Sequence, residues 1–129
     1  MLRLLPPFRL AVGWTLLIMV ALTIPGKSIP DSHIFQLDKL IHAGLFLVLT
    51  LLWLAALSEG HIGRGLTILA AMIVFAIFTE FYQQIMPIGR SADLLDSVAD
   101  AIGSIVAFLI WLDARTRLER WRQRSVDNL

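Results

Sequence analysis

The residues of this chain that can do chemistry stand at the ends of apolar segments. They are Asp38, Lys39 and His42, then Glu80, Gln83 and Gln84, then Asp96 and Asp100, with Arg90 in the short connection before the last pair. Their types suit proton transfer and the holding of an anion. Arg90 offers a planar fork of donors matched to phosphate or carboxylate, and Lys39 adds a compact cation. His42 exchanges a proton near neutral pH, and a carboxylate such as Asp38 or Glu80 would orient it. Glu80, partly withdrawn from water, would act as an acid or a base. Glu80 and His42 are therefore the candidate catalytic residues. The candidate ligand-binding set is Asp38, Lys39, His42, Glu80, Gln83, Arg90, Asp96 and Asp100.

The same residues admit two plainer readings. Arg90 paired with Asp96 or Glu80, and Lys39 with Asp31 or Asp38, would make a salt-bridge network that only joins helices. Asp38, His42, Glu80, Asp96 and Asp100 are also oxygen and nitrogen donors of the kind that bind zinc, calcium or manganese. Their spacing matches no His-rich metal motif, and Arg90 and Lys39 would repel an ion, so neither a metal nor another cofactor is expected. Function is favoured over architecture for the cluster as a whole. Apolar packing would join helices without the cost of burying charge, roughly 2.5 to 3.5 kcal/mol per central Asp, Lys or Arg.

The elements that must position these residues follow from composition. Hydrophobic residues make up 57% of the chain and charged residues 16%, and the mean hydropathy is +0.76, outside the range of soluble domains. An all-α integral membrane bundle is expected, with about four helices of about 20 residues each. They are placed near Phe8 to Ile24, Leu40 to Ser58, Gly65 to Met86 and Leu94 to Leu112, giving a transmembrane domain over 1–112 and a basic tail over 113–129. The first segment reads as an uncleaved signal anchor, because Thr23-Ile24-Pro25-Gly26-Lys27 lacks a convincing small-x-small cleavage site. Absence of cysteine excludes disulfides and thiolate chemistry.

Orientation follows the Lys and Arg of short loops. With four spans, the side holding both ends of the chain carries Arg3, Arg9, Arg64, Arg115, Arg117, Arg120, Arg122 and Arg124, against Lys27, Lys39 and Arg90 opposite. Both termini should be cytoplasmic, and the polar groups of three helix ends should converge on one cavity in the outer leaflet. Asp38 with His42, and Asp96 with Asp100, stand four apart and so share a helical face.

The Asp38-Lys39-x-x-His42 run, the Glu80-x-x-Gln83 pair, Arg90, and Asp96 followed by Gly103 resemble, in order and spacing, the motif set of the VanZ-like family. These are small polytopic membrane proteins, mostly bacterial, named for a member associated with teicoplanin resistance. The resemblance covers roughly Asp31 to Ile110, and where the family pattern usually has Asn four residues after the aspartate, this chain has Asp100. It implies a multi-pass protein of the bacterial cytoplasmic membrane and cell envelope. Partners in keeping with it are membrane lipids, among them an isoprenoid phosphate or a lipid-linked cell-wall precursor. Alternatives are a non-catalytic assembly protein and a small oligomeric carrier.

Three lesser features complete the reading. Ala99, Gly103 and Ala107 form a small-xxx-small stripe that admits a close helix neighbour, within the bundle or in a homo-oligomer. The Arg-rich tail would continue the fourth helix along the membrane surface and needs no nucleic acid to explain it. The loop from Ile24 to Asp38, with Pro25, Gly26 and Pro30, would lie beside the site as a lid.

Overall fold

The computed structural model describes residues 6–24, 35–87 and 93–129. These form four helices: α1 (Pro7–Leu22), α2 (Phe35–Leu57), α3 (Ile62–Ile85) and α4 (Leu94–Asp127). Three of them, Leu37–Leu57, Ile62–Ile85 and Leu94–Asp127, are long and apolar enough to cross a membrane, while α1 is a shorter apolar helix. At about 1.5 Å per residue α1 covers about 24 Å, less than the hydrocarbon thickness of about 30 Å.

The boundaries differ from expectation at one informative place. Helix α2 begins at Phe35 and not near Leu40, so Asp38 and Lys39 lie inside its opening turns. A hydropathy scan excludes charged residues from a span. Asp38 is favoured there because an acidic side chain in a first turn complements the positive end of the helix dipole, and Lys39 is held by carboxylates of α4 and its cap. Helix α4 runs unbroken for 34 residues, so the basic tail is its direct continuation. The expected loop over Ile24 to Asp38 falls mostly outside the described residues.

Side-chain contacts give the helix directions. Lys39, near the start of α2, meets Asp96, near the start of α4, and further along Thr50 donates a hydrogen bond to Ser104 at 3.0 Å. Helices α2 and α4 therefore run parallel. Helix α3 returns between them, since Glu80 near its end reaches Asp93 beside the start of α4, while Gly65 near its beginning lies under Trp111. Helix α1 also runs opposite to α2: Phe8 packs edge-on against Trp53, and Trp14 Nε1 donates to the Leu45 carbonyl at 3.0 Å. The starts of α2 and α4 define a polar end of the bundle, and the α2 to α3 turn and the arginine tail define the other.

The α2 to α4 interface is the most extensive in the chain, and Gly103 explains its closeness. A Cβ there would overlap the carbonyl oxygen of Ala43 and lie 2.8 Å from its carbonyl carbon. Ala99, Gly103 and Ala107 are all buried, so the small-residue stripe packs within the bundle. Without a hydrophobic drive between helices in lipid, such close van der Waals approach is a main source of association. Aromatic and aliphatic residues fill the rest: Ile18, Leu22, Phe46, Leu49 and Ala76 around one centre, and Leu54, Ile68 and Phe108 around another nearer the tail end.

Thr50 and Ser104 are fully buried where α2 meets α4. Replacing Thr50 with Val should keep the shape and remove the bond, at about 0.6 to 1 kcal/mol, the ordinary worth of an interhelical hydrogen bond in lipid. Thermal unfolding of detergent-solubilised protein against wild type checks this.

The tail end is closed by a turn of unusual backbone. Glu59 (φ 48°) and Gly60 (φ 76°) take left-handed conformations, and Arg115 Nε donates to the Gly60 carbonyl, tying α4 to the turn. Arg64 pairs with Glu59 at 2.5 Å.

Candidate functional site

Three helix ends bring their polar residues together, and Asp93 is the joint between them. Its side chain caps α4 by accepting from the Leu95 N–H at 2.9 Å. Its carboxylate also accepts from Lys39 Nζ of α2 at 2.5 Å, and its own N–H donates to Glu80 of α3. The Lys39 ammonium beside it, followed by the bond from Leu95, holds the Asp93 carboxyl below the usual aspartate range. Sequence reading placed Asp93 in the loop and left it out of the candidate set. The available signal was the N-cap rule, an Asp immediately before an apolar helical run.

Lys39 also donates to Asp96, one turn into α4, and so lies between two carboxylates. His42, one turn further along α2, has a carboxylate at either ring nitrogen. Nδ1 is 3.0 Å from Asp100 Oδ1, and Nε2 is 3.7 Å from Asp96 Oδ2. The shorter contact is a hydrogen bond and the longer is not. Asp100 is almost completely buried, so the swap of the family's usual Asn for an acid sits at the innermost point of the cluster. A four-residue spacing on α4 and a three-residue spacing on α2 place the pairs in register: Asp96 and Asp100 on successive turns of α4 face Lys39 and His42 on successive turns of α2.

The remaining candidates take different places. Glu80 is half-buried and accepts the Asp93 N–H. Gln83 is buried in α3, whereas Gln84 is exposed. Asp38 is exposed at the rim. One ligand atom from each of Asp38, His42 and Asp96 lies within 4.8 Å of the others, close enough to share an ion. Lys39 already engages Asp96, so a cation there would compete with the ammonium. Arg90 lies outside the described residues.

Among the described residues the cluster holds five carboxyl groups, Asp38, Glu80, Asp93, Asp96 and Asp100, against Lys39 and His42. The expected anion-binding role of Lys39 thus meets a lysine already engaged by two aspartates. Chemically the arrangement can hold and exchange protons, since an imidazole lies between an inner carboxyl and an outer one. Every buried side-chain nitrogen and oxygen among the described residues has a hydrogen-bond partner. The tryptophans have no part in it: Trp53 Nε1 donates to Thr15 Oγ1 at 3.2 Å, and Trp111 packs on Phe108.

Fold and site together define a multi-pass, all-α membrane protein with a cluster of Asp, Glu, Lys and His side chains at the end of the bundle opposite the arginine tail. The chain belongs to the VanZ/LLP1 family, whose pattern it matches over residues 7–116. No curated protein and no solved structure matches it.

Proposed function

We propose that this VanZ-family protein binds the head group of an anionic lipid at the extracytoplasmic face of the bacterial cytoplasmic membrane, with an isoprenoid phosphate or a lipid-linked cell-wall precursor as the ligand class. The observation that carries the reading is the hydrogen-bonded set of Lys39, His42, Glu80, Asp93, Asp96 and Asp100 at a single bundle end. Charged groups at helix ends in a membrane are expensive to keep and tend to serve a site. The outward orientation rests on the arginines of the opposite end, Arg64 and Arg115 to Arg124, which the positive-inside rule assigns to the cytoplasm.

In this reading Lys39 holds Asp93 and Asp96 in place, and Arg90, three residues before Asp93, supplies the bidentate grip on the anion. Glu80 and His42 are the groups able to give or take a proton. A second reading is favoured by the Lys39 contacts: a cation between two carboxylates of a neighbouring helix is what a purely architectural clamp would use.

Native mass spectrometry with lipid analysis, on protein extracted gently from its own membrane, separates the two. A bound isoprenoid phosphate or precursor is expected on wild type, with loss of about tenfold or more in occupancy for Arg90→Ala, as fits a charge-assisted contact of about 1.5 to 3 kcal/mol. Glu80→Gln should fold normally and lose the cellular phenotype. Wild type and variant carrying the same bulk phospholipids, both folded, would hand the case to the architectural reading.

A further inference from the structure

The polar groups do not stop at the rim. Along the α2 to α4 interface they continue inward from Asp93 and Lys39 to Asp96 and His42, then Asp100, and one turn further to Ser104 with Thr50. Side-chain exposure is 33% for Asp93 and 19% for Lys39 at the outer end, 12% for Asp96 and 15% for His42 in the middle, and 2% for Asp100 at the inner end. Beyond Thr50 and Ser104 the interface turns apolar, with Leu54, Ile68 and Phe108 buried and Trp53, Trp111 and Leu112 packed against them. The file of polar groups is open at one end of the bundle and plugged at the other.

We infer that Asp100 and His42 form a buried proton-binding site that is loaded from the polar end alone. This deepens the head-group reading by naming the proton supply of the same site, yet it stands on the α2 to α4 geometry and needs no lipid. In the loading step Asp96, protonated through the polar end, gives its proton to His42 Nε2, and the proton on Nδ1 passes to Asp100 Oδ1. Asp96 returns to carboxylate, Asp100 becomes a neutral acid, and the imidazole ends neutral with its proton moved from Nδ1 to Nε2. The Nδ1 contact is in place at 3.0 Å, and the 3.7 Å between Nε2 and Asp96 closes on rotation of the carboxylate. Among the described residues, the charged groups around His42 are Asp38 and Lys39 from α2, Glu80 from α3, and Asp93, Asp96 and Asp100 from α4. With more carboxyls than cations in that list, the cluster has room for the added proton.

Infrared difference spectroscopy of the full chain in liposomes, its orientation scored by trypsin cleavage of the arginine tail, tests this. Between about pH 4 and pH 10, where a carboxyl in a protein can titrate, wild type should show a protonated carboxyl band that Asp100→Asn abolishes. The band should follow the bath at the polar end and ignore the bath at the tail end. His42→Gln should keep the band but slow its response to a pH jump by about a hundredfold, as expected for loss of a positioned proton-transfer group. If Asp100→Asn does not fold, Asp100→Glu, which shifts the band, makes the same assignment. A band missing from wild type, unchanged by either Asp100 variant, or following the tail-side bath overturns the inference. A band that behaves as stated in protein retaining no head-group ligand leaves the proton site standing and the head-group reading alone refuted.

Discussion

His42→Leu is expected to destabilise the protein by about 3 to 5 kcal/mol at neutral pH, because it removes the partner of a buried carboxylate and leaves the charge uncompensated. Asp100 is buried and its contact with His42 Nδ1 is a hydrogen bond of 3.0 Å. The Asp100→Leu change takes away the charge itself, so its penalty should be smaller. The double variant His42→Leu with Asp100→Leu should recover most of the loss, since both partners of a buried hydrogen bond replaced together by apolar groups are often neutral in effect. The coupling between the two sites read from this cycle should lie at the top of the usual range for contacting residues, about 3 kcal/mol. The His42→Leu penalty should also shrink as pH falls, since a protonated Asp100 no longer carries the unpaired charge. Reversible unfolding in mixed micelles, run at two pH values, measures all of these. Strict additivity of the two single changes would show that the pair does not act as a unit.

Among the glycines of the described residues, Gly103 should be the one least tolerant of replacement by Ala. The new Cβ meets backbone of α2 at Ala43, which cannot rotate aside as a side chain can. Overpacking typically costs about 1 to 3 kcal/mol, and a clash with backbone belongs at or above the upper value. Relief requires α2 and α4 to separate, and the same two helices hold Lys39 to Asp96 and His42 to Asp100. Loss of stability and loss of the polar cluster should therefore occur together. Gly44→Ala is the control. It lies one residue from Ala43, has nothing within 4 Å of its would-be Cβ, and should gain about 0.5 to 1 kcal/mol from helix propensity. Folded yield and unfolding midpoint of the two variants, side by side, decide the matter.

Several parts of this architecture were legible in the sequence because they depend on depth alone. A helix of known rise in a layer of known thickness has ends whose positions follow from the count of apolar residues. Hence Glu80, Asp96 and Asp100 were assigned to the same end as Asp38, Lys39 and His42. The four-residue spacings correctly put Asp96 and Asp100 on one face of α4. Boundaries were less legible where charge and helix coincide. Asp38 and Lys39 marked the end of an apolar run, while the helix itself continues back to Phe35. Asp93 was missed for a related reason, since its importance lies in contacts with Lys39 and Glu80, which are far away in the chain.

Pairings across the bundle were not legible. Lys39 was read with Asp31 or Asp38, its sequence neighbours; Asp31 lies outside the described residues, and the partners that the structure brings from α4 are Asp93 and Asp96. His42 was expected to be oriented by Asp38 or Glu80, and its hydrogen bond goes to Asp100.

The sequence by itself determined that this is a multi-pass helical membrane protein of the VanZ/LLP1 family with a cluster of acidic residues, a lysine and a histidine at one end and its arginine tail at the other. Those properties follow from hydrophobic length, helical rise and local motif spacing. Only the tertiary structure decided which base meets which acid. That choice depends on the lateral order of the helices and on the close, parallel approach of α2 and α4 over Gly103, and a one-dimensional pattern of polarity fixes how deep a residue lies but not which neighbour stands beside it.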